Sequence, residues 1–118
     1  MGLKIGNANL SRGLILAPMA GYTDRAMRLV CREFGAEYTV TEMVSATAVV
    51  FGDKKTFKIA RIREDEGDVG LQIFGSDPEI IKRGAEMILE EFSRSGYSMP
   101  SAIDINMGCP VKKIFSNG

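Results

Sequence analysis

At 118 residues, 45% hydrophobic and 25% charged, the chain is long enough to bury roughly two thirds of its unfolded surface as one domain. Fifteen basic residues cancel fifteen acidic ones, so global charge gives no support for nucleic-acid binding, and any basic footprint has to be local. The lack of histidine excludes a Cys/His zinc centre, and Cys31 and Cys109 lie far apart without a partner motif, which fits free thiols in a reducing compartment.

The opening MGLKIGNANL holds neither a secretory signal core nor a run of about 20 apolar residues able to span a membrane, so a cytoplasmic protein with no membrane partner is expected. Leu3 to Asn7 reads as half of a small hairpin turned at Gly6-Asn7, of a kind that plugs the bottom of a barrel; a loose tail is the plainer alternative. Leu14 to Ala17 reads as a strand. Thr23 or Asp24 can cap a helix with Ala26, Met27, Val30 and Phe34 on one apolar face, and Gly35 is placed to end it. A second strand starts at Tyr38. Between Ser45 and Asp68 a short helix over Ala46 to Phe51 fits, followed by a charged stretch whose end, Arg63 to Asp68, reads as a loop. Val69 to Phe74 is a third strand. Ser76-Asp77-Pro78-Glu79 then has the form of a capping box with an early proline, ahead of a helix with Ile80, Ile81, Ala85, Ile88, Leu89 and Phe92 on one side. Ala102 to Asn106 is the fourth strand. Strands alternating with helices imply an α/β fold with about four parallel strands joined by right-handed crossovers.

In such folds chemistry sits beyond the carboxyl ends of the strands. Pro18-Met19-Ala20-Gly21, Glu42-Met43, Gln72 and Asn106-Met107-Gly108-Cys109-Pro110 all fall there. Alternation along a strand sends Leu71, Ile73, Ile103 and Ile105 toward the helices and Gly70, Gln72, Asp104 and Asn106 to the other face. Those inward residues make a bed for a flat polar ring, with Gly70 leaving space; a structural hydrogen-bond network across the strands is the alternative for Gln72 and Asp104. Cys109, between Gly108 and Pro110, is presented by a loop, whereas Cys31, beside the apolar face of a helix, reads as inert. An ordinary thiol, with a reference pKa of about 8.5, is mostly protonated at neutral pH and can act as a general acid unless a nearby cation makes it a thiolate.

LILAPMAGYTDRAMR (14–28), TEMVSA (41–46), LQIFGSDPE (71–79) and DINMGCPVKK (104–113) together resemble the motifs of bacterial tRNA-dihydrouridine synthases, in the same order and spacing. The resemblance runs from about Leu3 to the last residue, and NMGCPVKK is its most specific part. It implies a TIM barrel that holds FMN, followed by a helical domain that helps hold tRNA. The family's flavin contacts fall on Pro18, Met19, Ala20 and Gln72, its uracil-holding asparagine on Asn106, and its catalytic acid on Cys109. The implied reaction has NADPH reduce FMN; the flavin then delivers hydride to C6 of a flipped-out uridine in tRNA while Cys109 protonates C5, giving 5,6-dihydrouridine. Lys112 and Lys113 could meet tRNA phosphates or be a solvated pair, as could Lys54, Lys55, Lys58, Arg61 and Arg63.

A complete (β/α)8 barrel takes about 250 residues. Residues 1–118 are therefore expected to be the amino-terminal portion of an FMN-binding barrel domain, the first half of a TIM barrel, cut short of its later strands and of the helical domain. Such a piece, with open sheet edges, should self-associate, rearrange or be marginal, and be inactive alone. Two alternatives remain: an FMN barrel acting on free pyrimidines, and a half-barrel serving only as a folding or assembly unit.

Overall fold

Gly6, at φ +57°, supplies the left-handed backbone that a tight hairpin turn needs, so Leu3–Ile5 (β1) folds back on Ala8–Leu10 (β2) with Leu3 opposite Leu10. The amino terminus is thus a hairpin and not a loose tail. The structure, a computed structural model, describes residues 2–115. After the hairpin come β3 (Ile15–Leu16), α1 (Arg25–Glu33), β4 (Tyr38–Val40), β5 (Val44–Ser45), α2 (Ala46–Val50) and α3 (Lys54–Ala60). A 3₁₀ turn (Glu64–Glu66), β6 (Val69–Phe74), α4 (Pro78–Ser95), β7 (Ala102–Ile105) and α5 (Lys112–Phe115) complete the order.

The expected parallel strands lie side by side as β3, β4, β6 and β7. Sequence reading misses β5, which is only two residues long: it pairs with Ile73 and Phe74, while β4 pairs with Val69 and Gly70. β4 and β5 therefore share one edge of β6, with Glu42 and Met43 between them, and β7 takes the other. Parallel strands, crossover helices and a preceding hairpin are consistent with a partial TIM barrel.

Caps explain where the helices start. Asp77, not Ser76, is the N-cap of α4, accepting from Glu79 N–H at 2.8 Å ahead of Pro78, and Gly96 at φ +73° ends the helix. Asp24 caps α1 through Met27 N–H at 3.0 Å. The charged stretch after Asp53 is more ordered than its composition suggests, because Asp53 accepts from Thr56 N–H at 3.1 Å and caps α3, which buries Thr56 and Ala60.

One face of the sheet carries the main core. Val69, Leu71 and Ile73 of β6 meet Ile88 and Phe92 of α4, Ala46 and Val49 of α2, and Ala60 and Ile62. Each fully buried aliphatic or aromatic side chain there contributes roughly 1.5–3 kcal/mol. Two expectations fail on this face. The apolar residues of α1 are largely open, with Phe34 87% exposed and Val30 50% exposed. The residue α1 buries is Arg28, 1% exposed, because its sheetward neighbour is Glu66 of the 3₁₀ turn: Nε and Nη2 donate to Glu66 Oε1 at 2.8 and 2.6 Å, and Nη1 donates to the Thr23 carbonyl at 3.0 Å. Ile103 and Ile105 are also exposed, since no described helix lies over β7 as α4 lies over β6.

The opposite face is closed at its lower end by the hairpin, whose Ala8 and Leu10 pack with Ile5 on Tyr38 and Val40. This corrects the role given to Gly70. A Cβ there would stand 2.6 Å from the Tyr38 hydroxyl, so the space that glycine leaves is filled by Tyr38 and is no seat for a ring.

Candidate functional site

The loop after β3 is locked onto itself. Thr23, 4% exposed, accepts from Met19 N–H through Oγ1 at 2.9 Å, while the Met19 carbonyl takes the N–H groups of Tyr22 and Thr23, each at 3.0 Å. Glu42, just beyond β4, accepts from Gly21 N–H at 2.6 Å and holds the loop against the neighbouring strand end. Met19 and Tyr22 are left outward, 59% and 70% exposed. Thr23 and Glu42 are the residues sequence reading undervalued; their polar type next to a Gly-containing loop was the available signal.

On β6 and β7 the register sets Gln72 beside Asp104, as alternation predicts. Gln72 Nε2 donates to Asp104 Oδ2 at 2.5 Å, Asn106 Nδ2 donates to Gln72 Oε1 at 3.3 Å, and Gly108 N–H donates to Asn106 Oδ1 at 3.1 Å. The Gln72 main chain is fixed as well, its N–H donating to Thr41 Oγ1 at 3.0 Å. Below this row the phenol of Tyr38 is pushed upward in pKa by burial first, then by the negative charges of Asp104 and Asp68, and so stays a neutral hydroxyl.

Cys109 lines a cleft of about 880 Å³ together with Asn106, Gly108, Gly75, Ile81 and Ile105, among others. Ile81 and Ile105 belong to the helix-bearing side, and Gln72 and Asp104 are not in its wall. The structure thus brings Asn106 and Cys109 together and joins Gln72 to Asn106 by a hydrogen bond. Pro18, Met19 and Ala20 stand at the same end of the sheet, two strands away from Gln72. Lys112 and Lys113 open α5, with Lys112 exposed. Arg61 and Arg63 are in part engaged elsewhere, each with its guanidinium 5.0 Å from the centre of the Tyr97 ring.

This donor set suits the ring portion of a flavin. Gln72 and Asn106 offer amide hydrogens and carbonyl lone pairs beyond those they already use, and exposed Met19 with small Ala20 offers apolar surface and room. Among the described residues no cluster of acidic or thiol side chains has metal-site geometry, and no helix is long and apolar enough to cross a membrane.

The sequence model of the dihydrouridine synthase family matches residues 15–118. The chain is 38% identical over 116 residues to a probable tRNA-dihydrouridine synthase of Treponema pallidum, covering 98% of this chain and 32% of that protein. It is 42% identical over 115 residues to tRNA-dihydrouridine synthase B of Vibrio parahaemolyticus (95% of this chain, 33% of the relative). Against tRNA-dihydrouridine synthase B of Escherichia coli K12 it is 42% identical over 113 residues, with the same two coverages, 95% and 33%. The chain spans about a third of the length of these curated relatives. A match over the strands and loops that carry the polar row and Cys109 has one meaning: the chain belongs to the dihydrouridine synthase family.

Proposed function

We propose that the protein to which this chain belongs reduces uridine to 5,6-dihydrouridine in tRNA, using FMN and NADPH, in the cytoplasm. Residues 1–118 are then the amino-terminal part of its FMN-binding TIM-barrel domain. The observation that carries the reading is the continuous row from Asp104 through Gln72 and Asn106 to the Gly108-Cys109 loop, in a chain about two fifths identical to enzymes named for this product.

FMN, when bound, supplies the hydride that goes to C6 of the uracil ring. Pro18, Met19 and Ala20 bear on the flavin, the methionine by apolar contact and the alanine by leaving the ring room to approach. Gln72 meets the polar edge of the flavin with an amide that Asp104 and Asn106 already orient. Asn106 holds a uracil carbonyl or imide. Hydride arrival at C6 builds enolate-like charge on the ring, and the Cys109 thiol gives its proton to C5 as that charge develops. One C=C bond is lost, one hydride and one proton are gained, and the thiolate is reprotonated from solvent. Lys112 and Lys113 stand beside Cys109 in sequence and meet backbone phosphates of the tRNA.

The test is to give the full-length protein NADPH with tRNA, free uracil or orotate. Dihydrouridine in tRNA is expected, and reduction of the free bases alone would overturn the assignment. In the same protein Cys109→Ala should keep the flavin bound and reducible by NADPH while slowing uridine reduction by about 10²–10⁴-fold, the usual worth of a positioned acid. Equal turnover by the two proteins removes Cys109 from the chemistry.

A further inference from the structure

A carboxamide has nearly the same shape whichever way its oxygen and nitrogen point, so its orientation is dictated by its partners. Two such groups, Gln72 and Asn106, lie in series here, and groups of fixed polarity close both ends. Ionised Asp104 can only accept, and it takes Gln72 Nε2 at 2.5 Å. Gln72 must then turn its oxygen to Asn106, whose Nδ2 donates to it at 3.3 Å. Asn106 must in turn point its oxygen at the loop, where Gly108 N–H, which can only donate, is 3.1 Å away. The two ends demand the same direction. Gln72 is 7% exposed, Asn106 is half-buried and Asp104 is exposed, and the main chains of Gln72 and Asn106 are held separately by Thr41 Oγ1 at 3.0 Å and the Ile73 carbonyl at 2.9 Å.

We propose that Asp104 is a positioning residue: its carboxylate sets the polarity of the Gln72–Asn106 amide pair and, through Gly108, seats the loop that carries Cys109. This rests on the functional reading above for its purpose, but not for its physics. With Asp104 charged, Gln72 and Asn106 each keep one amide hydrogen free. The pair then holds one free amide hydrogen and one remaining carbonyl lone pair of each residue in fixed positions toward a bound ring. If the pair were flipped, the Asn106 amide group would face the Gly108 N–H, donor against donor, and the loop would lose its anchor.

Gln72 is the single glutamine of the sequence, so side-chain labelling of glutamine reports on it alone in this chain. One of its two amide protons, bonded to a carboxylate, should resonate downfield and exchange slowly. In Asp104→Asn, nearly the same in shape but without the charge, that downfield shift should collapse and exchange should quicken by about tenfold, as a charge-assisted bond becomes a neutral one. The two cysteines provide the second readout. Alkylation of Cys109 should change rate in Asp104→Asn while Cys31, in α1, keeps its own, and Asp104→Glu should recover part of the wild-type pattern. A general loss of stability would instead raise both thiol rates together. A Gln72 amide pair at random-coil positions in the wild-type chain, or one unmoved by Asp104→Asn, overturns the proposal. Failure of the tRNA assay would leave these readouts intact and count against the functional reading alone.

Discussion

Glu37 satisfies several donors at once: the Ser11 hydroxyl at 2.7 Å, Ser11 N–H at 2.9 Å, Arg12 N–H at 3.0 Å and Leu14 N–H at 3.2 Å. The Ser11 hydroxyl is the largest influence on its pKa; desolvation opposes it and the three backbone donors reinforce it, bringing the carboxyl from 4.5 down to about 2. A folded pKa below the unfolded one means the contribution is complete above about pH 4.5 and is lost as pH falls through about 2. We expect the amide resonances of Ser11, Arg12 and Leu14 to hold steady down to pH 4.5 and then move together with a midpoint near 2; Glu37→Gln should abolish that movement. A midpoint at 4.5 would show that the cluster does not form. None of this was legible from sequence, because donor and acceptor are 26 residues apart and nothing local marks the pair. Gln72 and Asp104 were legible, since strand alternation alone sends them to one face. The α1 stripe misled for a related reason: periodicity tells which residues share a face but not whether anything lies opposite, and Arg28 went inward because Glu66 was there to meet it.

Between α2 and α4 the approach is set by Gly84. A Cβ at that position would lie 3.1 Å from Ala46 Cα and 3.2 Å from its carbonyl oxygen, both backbone atoms. In an isolated helix Gly→Ala is favourable by about 1 kcal/mol. Here the added methyl would have to push one helix from the other, so Gly84→Ala should be destabilising by about 1–2 kcal/mol net. A lower denaturant midpoint at unchanged slope would be its signature, and a raised midpoint would mean that α2 yields readily. These elements were readable because each carried its own punctuation: Asp77 and Pro78 open α4, and Gly6 turns the hairpin. The two-residue β5 and the charged α3 were not, because one is too short to show a period and the other is fixed by Asp53 and by burial of Thr56 and Ala60.

At the scale of the molecule, the parallel strands followed from the alternation of strands with helices and the face of the polar row from alternation along a strand, while the insertion of β5 and the seating of Cys109 beside Ile81 and Ile105 followed only from the structure. The α1 surface around Val30 and Phe34, together with Ile103 and Ile105 on β7, leaves apolar area without cover at both ends of the sheet. Such surfaces promote association in water. The 118-residue chain should therefore sediment in a concentration-dependent way, and the double change Val30→Lys and Phe34→Lys should shift it toward monomer. Sedimentation as a monomer at every concentration, in both proteins, would show that these surfaces are inert.

The hairpin has a last consequence. Because Ala8 and Leu10 sit on Tyr38 and Val40, the hairpin covers the lower end of the sheet face that carries Gln72, and the polar row lies above it toward the carboxyl ends of the strands. Whatever meets Gln72 and Asn106 on that face cannot arrive from the hairpin end, which Ile5, Ala8 and Leu10 already fill.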